Sequence, residues 1–136
     1  MSNEHIPHDM VVNEANRKFV LVDYGVIHDT VHFEKVYEKM VYVILCKYAD
    51  YQSKSSYPSI KTIAEQCLCS ENTVRAALKK LEKLGLISIE TRKRDKGGQT
   101  SNLYRLLPIP PHFPKYEYHP SHDGGEVLHD VNRGTS

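Results

Sequence analysis

The residues best suited to chemistry lie between Ser70 and Leu84, where Asn72, Arg75, Lys79 and Lys83 recur at steps of three and four. On a helix that spacing gathers them along one side. An Asn amide can bond bidentately to an adenine edge and an Arg guanidinium to a guanine edge. Thr73 and Ala76 are small enough to allow close approach and to touch a thymine methyl. Lys79 and Lys83, further along, suit phosphates. Ser70 is placed to cap the helix, at the end where backbone N–H groups and the helix dipole favour an anion. The chemistry implied is non-covalent reading of a polyanion; the plainer alternative is a solvated helix face in a structural domain.

A second basic element follows. Arg92, Lys93, Arg94 and Lys96 precede Gly97-Gly98, and Gln99 and Thr100 come after it. Such a loop can track a phosphate backbone or enter a minor groove, although alone it is equally a hairpin kept soluble by its charges. Charge is concentrated in the same region. Residues 54–106 hold eleven Lys/Arg against five Asp/Glu, a local excess of +6 in a chain of net charge +1. A basic segment within a near-neutral chain suits a polyanion-binding face.

These side chains need a scaffold, and apolar spacing supplies one. Val74, Ala77, Leu78, Leu81 and Leu84 mark a buried stripe opposite the polar row. Gly85 follows where a left-handed helix end favours glycine. Upstream, Ser59 caps a shorter helix with Thr62 in its first turn, and Ile60, Ile63, Ala64 and Cys67 form its inward face. Ser59 and Thr62 join the candidate DNA contacts because they open this helix. Leu86–Glu90 and Asn102–Leu106 alternate as strands, with Lys93–Ser101 as the loop between them.

From Phe33, the residues Val36, Tyr37, Met40, Val41, Ile44, Leu45 and Tyr48 predict a helix of about five turns. Thr30 is its candidate cap, and a polar loop over 50–56 ends it. Phe19–Val22 predicts a short strand able to pair with the hairpin, and Tyr24-Gly25 predicts a turn. The organisation is an N-terminal arm at 1–16, a domain at 17–107 and a Pro/His-rich tail at 108–136, whose prolines favour extended chain. The fold class is mainly α with a small β-hairpin wing, a winged helix-turn-helix.

Other functions find less support. Three cysteines suggest no disulfide framework, and Cys67-Leu68-Cys69 lacks neighbouring ligands to complete a zinc tetrahedron. The irregular His112, His119, His122 and His129 suit a solvated tail better than a metal site. Neither a phosphate-cradling Gly loop nor a nucleophile elbow occurs, so no enzyme activity, catalytic residue, metal or cofactor is expected. The apolar runs are too short for a bilayer and the start lacks a secretory pattern, so a cytoplasmic protein without a membrane partner is expected.

The strings YPSIKTIAEQ, SENTVRAALKKLEKLGLISIE and TSNLYRL, within residues 57–106, resemble winged helix-turn-helix domains of phage and plasmid replication proteins and bacterial transcriptional regulators. FVLVDYGVI resembles the opening of replisome organisers and DnaD-like initiation proteins. The resemblance implies sequence-specific binding of double-stranded DNA, in replication initiation or transcriptional regulation. A homodimer formed through the first long helix or the N-terminal strand would fit, with a replication or transcription protein as a further partner. The competing class is a protein-protein interaction module built on the same fold. Related motifs usually carry Gly in the turn between the helices, where this chain has Leu68. A branched side chain at positive φ is strained, so a rearranged turn is expected. Replisome organisers commonly continue into a partner-loading domain, and that activity is not carried over to this chain.

Overall fold

A computed structural model describes residues 10–12, 17–93 and 100–116. In chain order the elements are strands β1 (Met10–Val12) and β2 (Lys18–Val20), helices α1 (Tyr24–His28) and α2 (Val36–Tyr48), strand β3 (Ser55–Ser56), helices α3 (Ile60–Cys67) and α4 (Glu71–Lys83), and strands β4 (Ile87–Lys93) and β5 (Thr100–Leu106). Helices α2, α3 and α4 pack together, and a three-stranded antiparallel sheet of order β3-β5-β4 lies beside them. This is a winged helix-turn-helix, mainly helical with a β-hairpin wing. Among the described residues no helix is long and apolar enough to cross a membrane.

The core is made where the apolar periods of the three helices meet. Val41, Ile44 and Leu45 of α2, Ile63 of α3, and Val74, Leu78 and Leu81 of α4 are all nearly or fully excluded from solvent. Ile87 and Tyr104 close the cluster from the sheet, with Leu86 just ahead of β4. Each such side chain stabilises the fold by roughly 1.5–3 kcal/mol relative to exposure.

Helix α2 is shorter than its sequence period suggests. Thr30 does not cap it, because the chain between α1 and α2 is anchored instead by a buried acid. The Asp29 carboxylate accepts from the N–H groups of His32 and Phe33, at 2.8 and 3.2 Å, and pairs with the His32 ring at 2.8 Å. Burial pushes its pKa up, but the bonds from His32 and Phe33 outweigh this and hold it below the usual carboxylate value. Phe33 is buried outside the helix, against Phe113. Glu38, placed by period on the solvent side, is buried because its carboxylate accepts from the N–H groups of Glu34 and Lys35. Val36, Tyr37, Met40 and Tyr48, expected in the apolar stripe, are exposed.

The sheet also departs from expectation. β2 pairs with β1 from the expected N-terminal arm, Met10 opposite Val20, and makes a separate ribbon rather than joining the wing. β3 lies within the expected polar loop. The Asp50 carboxylate tightens the turn before it by accepting from the N–H groups of Gln52 and Ser53, each at 2.9 Å. β3 then pairs through Ser55↔Arg105 and Ser56↔Tyr104, and its two serines carry no alternation that a sequence pattern would register. The wing strands are longer than their apolar alternation, with pairing from Ile87↔Leu106 out to Lys93↔Thr100.

Tyr24-Gly25 opens α1 rather than forming a turn, with Val26 N–H donating to the Asp23 carboxylate at 3.1 Å. Beyond residue 107 the proline-rich segment folds back over this helix. Leu107 N–H donates to Leu86 C=O at 3.0 Å, and Phe113 is 2% exposed. Gly25 permits the contact, because a Cβ there would lie 2.0 Å from the Pro114 carbonyl oxygen. Gly25→Ala is therefore expected to destabilise the protein by about 1–3 kcal/mol, the usual range for forced overpacking. Urea denaturation checks this, with a lower midpoint at unchanged slope as the expected outcome.

Candidate nucleic-acid interface

The two motif helices begin with the same device. Ser59 Oγ accepts from Thr62 N–H at 3.0 Å, and Ser70 Oγ accepts from Thr73 N–H at 3.1 Å. In each pair the two hydroxyls also bond to one another, at 3.0 and 2.9 Å. The hydroxyls of Ser59, Thr62, Ser70 and Thr73, all candidate contacts, are thus engaged in starting helices. What those ends still offer a phosphate is chiefly unpaired backbone N–H groups and the positive end of the dipole.

Leu68 takes the left-handed conformation at φ 59°, ψ 45°. The turn is therefore not rearranged: leucine occupies the backbone state that glycine fills more easily. Both Leu68 N–H and Cys69 N–H donate to the Ala64 carbonyl, closing α3. The Leu68 side chain is 88% exposed and makes no core contribution that would offset the strain. Beside it, burial pushes the Cys67 thiol up to about 11, and Cys46 on α2 likewise, so both are weak nucleophiles near neutral pH.

Helix α4 ends as its sequence predicts. Gly85 sits at φ 82°, its N–H donates to Glu82 C=O at 3.0 Å, and Leu86 N–H donates to Leu81 C=O at 3.1 Å. Those two bonds make a Schellman stop, with Leu81 and Leu86 both buried beneath it. The helix is thereby fixed at both ends and along one side, and its other side is free.

That free side carries Glu71, Asn72, Arg75, Ala76, Lys79 and Lys83, all exposed, with Thr73 half-buried at its edge. Lys80 leaves this row and lies 3.8 Å from Glu34. Asn72 and Arg75 are not independent. Arg75 Nη1 donates to Asn72 Oδ1 at 3.0 Å, and Nη2 lies 3.4 Å from Glu71 Oε1. Alongside, Lys35, Tyr37 and Glu38 together with Asn72, Thr73, Ala76 and Ala77 line an open groove of about 350 Å³.

In the wing, the Arg92 guanidinium stands 5.8 Å from the Tyr57 ring centroid. Tyr57 is 66% exposed and directly precedes Pro58-Ser59 at the start of α3. Tyr57 opens the YPSIKTIAEQ string but is not among the contacts expected from sequence, although its position beside a helix start is a signal for one. The Tyr57–Arg92 contact ties the outer part of β4 to the entry of α3. Lys93 and Thr100 face each other in the outermost described pair of the wing. Arg94, Lys96 and Gln99 lie outside the described residues, as do His119, His122 and His129.

Residues 35–87, from the start of α2 to the first residue of β4, match the helix-turn-helix domain family. No curated protein matches the chain. Among solved structures, a possible transcriptional regulator from Methanosarcina mazei Go1 is similar at 14% identity and a TM-score of 0.46, over 91% of this chain and 82% of that one.

Because Leu68 is exposed and left-handed, Leu68→Gly relieves strain without opening a cavity. The expected gain is about 1 kcal/mol, allowing for the greater freedom of glycine in the unfolded chain. Thermal melting checks this; a lower midpoint would show that the leucine contributes something its conformation does not reveal.

Proposed function

We propose that the protein binds double-stranded DNA sequence-specifically, with the free side of α4 in the major groove. The observation that carries this is the exposed row of Asn72, Arg75, Ala76, Lys79 and Lys83 on a helix fixed at both ends and packed along its opposite side. Asn72 and Arg75 stand in its first half, where a recognition helix meets base edges. Lys79 and Lys83 follow and are assigned to phosphates. The start of α3, with Ser59 and Thr62, faces the backbone through its N–H groups, and Arg92 and the wing follow the flanking strand.

The protein acts by occupying a site and performs no chemical step. Such occupancy serves transcriptional regulation, and it serves replication initiation equally well. A homodimer is part of the proposal. Phe19, Tyr24, Ile27, Val31 and Val36 leave between 45% and 79% of their surface uncovered, apolar area that a second copy would cover. Two copies joined there would present two recognition helices to successive half-sites.

A salt titration with random duplex tests the binding. Affinity is expected to fall linearly with salt on logarithmic axes, with a slope of about −0.9 per phosphate neutralised. Lys79→Ala and Lys83→Ala should each reduce that slope by about one and weaken all sequences alike. Binding that is undetectable, or indifferent to salt, would overturn the proposal.

A further inference from the structure

The wing is unevenly supported. Strand β3 backs β5 only at Ser55↔Arg105 and Ser56↔Tyr104. Beyond Ile89↔Tyr104, β4 and β5 run out to Lys93↔Thr100 as a two-stranded ribbon, with no third strand beside them among the described residues. Such ribbons are marginally stable alone and twist strongly. Arg92, opposite Ser101 on this ribbon, is a point at which it meets the body again, through the contact with the Tyr57 ring.

Tyr57 is well placed to hold that point. Its backbone is fixed on both sides, by the Ser56↔Tyr104 pairing before it and by Pro58 and the Ser59 cap after it. The ring itself is mostly exposed, so the core gains little from it. A cation within about 6 Å of a ring is attracted by the π-face, and that attraction uses none of the guanidinium's N–H donors. Among the described residues Arg92 makes no ion pair and no side-chain hydrogen bond. Arg75, by contrast, spends donors on Asn72 and Glu71. Arg92 thus keeps its charge and its five donors for an anion, and its planar fork matches a phosphate.

Resting on the duplex-binding proposal, we infer that Tyr57 is a positioning residue for the wing: its ring holds the Arg92 guanidinium in place for a phosphate of the duplex, beside the stretch that α4 occupies. A phosphate contact carries no base information, so Tyr57 acts on affinity for every sequence and leaves base preference unchanged. It acts through Arg92, by the face of its ring, and its hydroxyl has no part.

The test is a double-mutant cycle, read as dissociation constants and salt slopes on random duplex. It compares the wild type, Tyr57→Ala, Arg92→Ala and the double substitution, with Tyr57→Phe alongside. Arg92→Ala should weaken binding about tenfold and reduce the salt slope by about one. Tyr57→Ala should weaken binding roughly two- to fivefold, the scale of one cation–π contact, and should cost nothing further once Arg92 is gone. Tyr57→Phe, which keeps the ring, should bind as the wild type does. A merely structural role for Tyr57 would weaken binding whether or not Arg92 is present. Equal losses from Tyr57→Ala in both backgrounds therefore overturn the inference. A Tyr57→Phe protein as weak as Tyr57→Ala also overturns it, by assigning the contact to the hydroxyl. An Arg92→Ala or Tyr57→Ala protein that binds as the wild type does overturns it too; in each of these cases duplex binding itself stands. Absence of any duplex binding by the folded wild type overturns the inference together with the proposal beneath it.

Discussion

Everything the free side of α4 can present depends on the burial of its other side. Val74, Ala77, Leu78 and Leu81 are held against α2 and α3 with almost no exposure. Those contacts fix the helix in rotation, so the row from Asn72 to Lys83 faces outward as a consequence of packing rather than through any bond of its own. The helix ends then fix it along its axis, through the Ser70 cap at the start and the Gly85 stop at the end. A side chain that must meet a base edge needs this order of placement, because misplacement by an ångström removes a hydrogen bond.

Leu68 sets the remaining variable, the angle between α3 and α4. Its left-handed backbone stores strain in a surface turn, and the buried faces of both helices hold it there. The hydrophobic contacts on either side, several kcal/mol in sum, exceed the roughly 1–2 kcal/mol that a left-handed residue costs. The sequence-based expectation of a rearranged turn weighed the strain without the packing that opposes it.

The legible parts of the chain were those in which one period governs one element. The Ser70 cap, the buried row of α4 and Gly85 follow from local rules, and the structure places them as those rules require. The parts that were misread are those in which a distant partner decides. β3 is two serines that become a strand because β5 offers an open edge. Glu38 turns inward because two N–H groups ahead of α2 need an acceptor. β2 takes its partner from the chain before it, and Phe113 fills a place in the core from beyond a run of prolines. The candidate site was visible residue by residue, but not its couplings. Asn72 and Arg75 were legible as hydrogen-bonding residues on one face, whereas their mutual bond and the contact of Arg92 with Tyr57 depend on rotamers and strand placement that spacing does not encode.

Among the described residues, the proposal rests on two sets of exposed side chains, the polar row of α4 with the wing strands and the apolar residues from Phe19 to Val36. The first suits a nucleic acid and the second another protein surface. Backbone amide shifts of the isotopically labelled protein, followed by nuclear magnetic resonance as duplex DNA is added, separate them most directly. Shifts concentrated at the start of α3, along Glu71–Lys83 and through β4 to β5 are the predicted result. Shifts that instead gather on β2, α1 and the first turn of α2, with α4 unchanged, would contradict a DNA-reading role for this helix.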